Sequence, residues 1–94
     1  MSLPQMNDVL IPSAPQLTVE TNIGISNFAI IDADLQSDGT TQVALLGSRW
    51  LGLGTYPATY IVGDTRSAGR FALHGCIRSG AAIQFIGVFM PALE

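Results

Sequence analysis

From Leu17 onward the chain is a succession of short apolar runs interrupted by turn residues, and this rhythm constrains the fold more than any other feature of the sequence. Apolar runs of a few residues bounded by glycine, aspartate and serine read as strands, whereas a packed helix needs a period of about 3.6 sustained over roughly ten residues. The rhythm predicts strands near 17–23, 27–35, 41–47, 58–63, 70–78 and 82–90. Between the second and third, Gln36-Ser37-Asp38-Gly39-Thr40 carries an Asp-Gly pair that supplies the positive φ a tight hairpin needs. Ser79-Gly80 joins the last two strands in the same way, and Gly63 to Gly69 reads as a longer loop. The expected fold is all-β: a small antiparallel barrel or sandwich of about six strands in meander order, residues 17–94 forming the single domain. Residues 41–52 carry a competing reading as one short helix, which would make the fold α+β. Val43, Leu46 and Trp50 fit a helical stripe, but Gly47 inside it costs about 1 kcal/mol relative to alanine, and strand is preferred.

Residues 1–16 differ. Pro4, Pro12 and Pro15 fix φ, remove amide donors and push their predecessors toward extended geometry, so this stretch is an extended N-terminal arm. Val9, Leu10 and Ile11 are too apolar for a free tail, and they predict that the arm lies on a surface, that of a neighbouring copy included.

Alternation within the strands says how many faces are buried, because successive residues point to opposite sides. In 70–78, Phe71, Leu73, Gly75 and Ile77 form a core face against Arg70, Ala72, His74, Cys76 and Arg78. In 82–90 both sets are largely apolar: Ile83, Phe85, Gly87 and Phe89 on one side, Ala82, Gln84, Ile86, Val88 and Met90 on the other. One small core cannot cover both sides, and a subunit interface would supply the second cover, with His74 and Cys76 beside it. Composition agrees, since charged residues are 12% of the chain, about half the usual share for a soluble domain. Eleven charges cover thinly the roughly 5,000 Å² that a compact monomer of this mass exposes. The charges are also divided: Asp8, Glu20, Asp32, Asp34 and Asp38 precede every arginine, so residues 1–38 carry −5 and the remainder +2. Halves of opposite sign suit head-to-tail contact between copies.

The same composition excludes several functions. Without lysine, and with a net charge of −3, the chain lacks the basic footprint that nucleic-acid binding requires. Cys76 is the only cysteine, which rules out an intrachain disulfide framework. The longest apolar stretch, Ala81 to Leu93, is too short for a membrane helix and is broken by Gln84 and Pro91. No signal-peptide pattern opens the chain, so a cytoplasmic or virion-associated setting is expected, with no cofactor and no metal.

Candidate chemistry is sparse. His74-Gly75-Cys76 offers the only nucleophile and base pair, with both side chains on one strand face. No third group orients the imidazole, so the plainer reading is a small buried cysteine beside a polar neighbour. Asp32 to Gly39 imitates a calcium loop but has Ser37 and Val43 where glycine and glutamate are required. Asp32 and Asp34 then read as solvated acids. Arg66 and Arg70, with Thr65 and Ser67 beside two glycines, would form an anion cradle if the stretch from Gly63 to Arg70 is a loop. Trp50, Tyr56 and Tyr60 would form a sugar-stacking platform if they met, although aromatics in a small core usually pack.

In general character, a lysine-free, charge-poor, glycine- and threonine-rich β-chain with an extended arm is similar to phage virion components such as capsid-decoration or tail parts. The sequence therefore predicts a non-enzymatic structural or assembly subunit that forms a homo-oligomer, a ring or a trimer. A small oligomeric binding module for an anionic or sugar-like ligand is the alternative, and a thiol enzyme using His74 and Cys76 ranks last.

Overall fold

The structure, a computed structural model, describes residues 14–92. Most of the arm, with Val9, Leu10 and Ile11, lies outside the described residues. Six strands follow in chain order: β1 (Gln16–Thr21), β2 (Gly24–Leu35), β3 (Thr41–Gly47), β4 (Gly54–Val62), β5 (Thr65–Ser79) and β6 (Ala82–Pro91). They close into an antiparallel barrel of order β1-β2-β3-β6-β5-β4. All-β architecture and strand number agree with the sequence, and closure decides between barrel and sandwich.

Residues 41–47 are a strand because they are paired on both sides, Val43 with Ala33 of β2 and with Gly87 of β6. Val43 and Leu45 point inward and are buried, while Leu46 and Trp50 of the supposed helical stripe are exposed. The simple meander is not formed. After β3 the chain crosses one end of the barrel through Ser48–Leu53, runs back as β4 beside β1, and returns through β5 to lay β6 against β3. This route closes the sheet on itself and seats β6, largely apolar on both sides, between two neighbours. Leu51, buried within the crossing segment, plugs that end of the core.

The β4–β5 connection is another departure. Val62 pairs with Thr65 across a two-residue turn, Gly63-Asp64, with Gly63 at φ +59°. Glycine followed by aspartate makes a tight hairpin, so the expected loop from 63 to 69 is strand instead. At the other end of β4, strand extends back through Pro57 to Gly54, where the ladder with β1 has not yet begun. A missing amide is tolerated at such an edge position.

The core is a single cluster in which Leu17, Val19, Leu45, Phe71 and Phe85 are fully buried. Phe28 meets Phe85 edge-on at 5.4 Å, and Tyr60 tilts against Phe89 at the same distance. The antiparallel weave sorts the connections between two ends. The head carries the β1–β2 turn, the Ser48–Leu53 crossing and the β5–β6 turn. The tail carries the β2–β3 turn, the β4–β5 turn and both ends of the described chain.

Candidate assembly interface

The outer surface of β3, β6 and β5 carries an uncharged, largely apolar stripe interrupted by Gln42 and Gln84. Register aligns Leu46, Gln84 and Ile77 in one row, Ala44, Ile86 and Gly75 in the next, and Gln42, Val88 and Ala72 in the third. Ile77 keeps 58% and Ile86 40% of their surface, and none of the nine residues in these rows is charged. Ile86, Val88 and Met90 all lie here, as alternation along β6 predicts.

His74 and Cys76 separate. A bulge in β5 lets Leu73 pair with Gly87 and Gly75 with Ile86, leaving His74 as the extra residue. Beyond the bulge the alternation is inverted. Cys76 therefore pairs with Phe85 and packs against the core, while Ile77, expected in the core, turns outward. His74 is exposed on the outer surface, where it lines a groove of about 500 Å³ with Val88, Met90, Gln42 and Asp38. The two side chains have opposite faces, which removes Cys76 from the candidate interface and leaves the imidazole no thiol to activate.

The proposed anion cradle is likewise not assembled. Thr65, Arg66 and Ser67 are in β5, where Thr65 pairs with Val62 and Ser67 with Tyr60, both on the barrel side. Arg66 and Arg70 alternate to the outside, four residues and roughly 13 Å apart along the strand. Asp32 and Asp34 are exposed on the outer side of β2, opposite Ala44 and Gln42. Asp38 fastens the β2–β3 turn, with the Thr40 hydroxyl donating to its Oδ1 at 2.7 Å and the Thr40 amide at 3.0 Å. Those bonds, the hydroxyl first, hold its carboxyl below the ordinary carboxylate value. Of the aromatic trio, Tyr60 belongs to the core, where burial pushes its phenol up.

Trp50 and Tyr56 do meet, in a cleft of about 360 Å³ at the head. The Tyr56 hydroxyl donates to the Gly52 carbonyl at 2.6 Å and pins the crossing segment from below. The cleft runs between that segment and the β1–β2 hairpin, with Ile23, Ile25 and Arg49 on its walls. Ile23 is 88% and Trp50 67% exposed. Pairing of β2 with β3 sets the β1–β2 turn beside Arg49 and Trp50, and the adjacency of β4 to β1 adds Tyr56. The one sequence signal was the presence of large apolar residues at turn positions, where polar ones are usual.

Among the described residues no three His, Cys, Asp or Glu side chains gather as metal ligands, and no helix is long and apolar enough to cross a membrane. In comparisons with protein-family models, curated proteins and solved structures, the chain matches none.

Proposed function

We propose that this chain is a non-enzymatic structural subunit that assembles with copies of itself, the outer stripe of β3, β6 and β5 serving as the lateral contact. The observation that carries the reading is that β6 is largely apolar on both faces, Gln84 being the polar residue of the outer one, while the barrel covers only one. Its outward residues would cost little to desolvate and would gain about 25 cal/mol for each Å² of apolar surface buried. A lateral contact of this kind closes a ring or a trimer, and a virion-type component is the setting it suits. Val9, Leu10 and Ile11 supply a second contact in this reading, laid on the neighbouring copy.

The test is Ile86→Glu, which puts a charge at the centre of the stripe without touching the core. The native chain is expected to be oligomeric at tens of micromolar by light scattering, and the variant to dissociate at concentrations at least tenfold higher with an unchanged β-type circular dichroism spectrum. A native chain that stays monomeric at that concentration refutes the assembly reading.

A further inference from the structure

The two ends of the barrel differ in charge, in shape and in apolar surface, and the differences are complementary. At the head, Arg49 and Arg78 stand against Glu20 alone, a balance of +1. At the tail, among the described residues, Asp34, Asp38 and Asp64 stand against Arg66, a balance of −2. The head is concave, holding the cleft between Trp50 and the β1–β2 turn. The tail is convex on one side. β1 pairs with β2 as far as Ala29, with one further backbone bond from the Ile30 amide to the Pro15 carbonyl, so among the described residues Ile31–Leu35 and the turn after it project with β3 as their strand partner.

That projection is braced. The Gln36 amide donates to the Thr40 carbonyl at 2.8 Å, the Gly39 amide to the Gln36 carbonyl at 3.1 Å, and Asp38 accepts both bonds from Thr40. At its base Leu35 is 74% exposed, a large apolar side chain on the inner face opposite Thr41, with Asp34 on the outer face and Asp38 in the turn. A hairpin tip with an exposed leucine on one face and carboxylates on its other face and in its turn, at the opposite end from a cleft of tryptophan and isoleucine beside an arginine, fits a second copy of the same chain in the same orientation.

We infer that barrels dock end to end, the projecting β2–β3 hairpin of one copy entering the head cleft of the next. Leu35 packs against Trp50 and Ile23, and Asp34 and Asp38 face Arg49. The contact joins two different surfaces, so it does not close on itself as a twofold dimer does; it repeats along the barrel axis. This inference rests on the structural-subunit reading and adds a direction to it: lateral contacts make a ring or trimer, and end contacts stack such units into a polar column. Ion pairs at the rim set orientation, and the apolar knob supplies most of the affinity.

The experiment removes the lateral contact first. In an Ile86→Glu background the chain should form a concentration-dependent ladder of species by native mass spectrometry. Emission from Trp50, the sole tryptophan, should move to the blue as the ladder grows. Adding Trp50→Ser blocks the head, and adding Leu35→Arg blocks the tail; each is expected to weaken self-association at least tenfold. Mixed in equal amounts, the two blocked proteins should form a dimer and nothing larger. The blue shift then comes from the Leu35→Arg copy, since its partner has no tryptophan. Both positions are exposed, and circular dichroism verifies that each variant folds. A mixture that yields no dimer overturns the inference. So does an Ile86→Glu protein that stays monomeric with constant emission while the native chain is oligomeric, a result that leaves the lateral reading standing. A native chain monomeric with constant emission removes both. A ladder unchanged between native and Ile86→Glu proteins removes the lateral contact and keeps the end contact.

Discussion

At Gly87 only a hydrogen fits between β6 and the ring of Phe71, because a Cβ built there would lie 2.6 Å from two ring carbons and closer still to the Ala72 carbonyl oxygen. The aromatic ring fills the space that the missing side chain leaves. Gly87→Ala is therefore expected to destabilise by about 1–3 kcal/mol, the usual cost of overpacking, lowering the urea midpoint without changing the slope. Cys76 gives a second test at this scale. It is half-buried and packed against the core beside Phe85. Its thiol should alkylate slowly in the native protein and rapidly in urea, and His74→Ala should leave the native rate unchanged, because the bulge separates the two side chains. Fast native alkylation that slows in His74→Ala would mean that the imidazole reaches the thiol.

The β2–β3 hairpin is the element whose behaviour depends on pH. Folding lowers the pKa of Asp38, so its ionised form stabilises the turn at pH values above the unfolded carboxylate value. That contribution is lost as pH falls through the depressed folded value. The protection factor of the Thr40 amide, its exchange measured against the intrinsic rate at each pH, should fall over that acid range, and Asp38→Ala should abolish this pH dependence of protection while leaving the strands of the barrel intact. If the projecting turn is the knob of an end contact, the same acidification shortens the end-to-end ladder before it unfolds the core.

For the whole molecule, assembly and folding are separable. The core lies inside the closed barrel, and the apolar stripe and the head cleft lie apart from it. Deleting residues 4–13 is expected to weaken the oligomer at least tenfold while preserving the β signal. The cut spares Pro15, whose carbonyl accepts from Ile30, and Gln16, which opens β1. A truncated chain that assembles as tightly as the full one would show that Val9, Leu10 and Ile11 make no contact between copies.

The sequence by itself determined the strand number, most of the strand positions and the two-faced character of β6, because alternation and turn chemistry are local properties. Asp38-Gly39 and Ser79-Gly80 mark their hairpins without reference to anything distant. Only the tertiary structure decided which strand lies beside which, since β3 could have met β4 as readily as β6 on local grounds. It also decided the fate of His74 and Cys76, because one bulged residue inverts every side chain after it and no local signal marks the bulge. The head cleft depends most on tertiary structure. Pairing of β2 with β3 sets Ile23 near Arg49 and Trp50, but Tyr56 joins them because barrel closure brings β1 and β4 side by side, and adjacency of that kind is a property of the whole closed sheet.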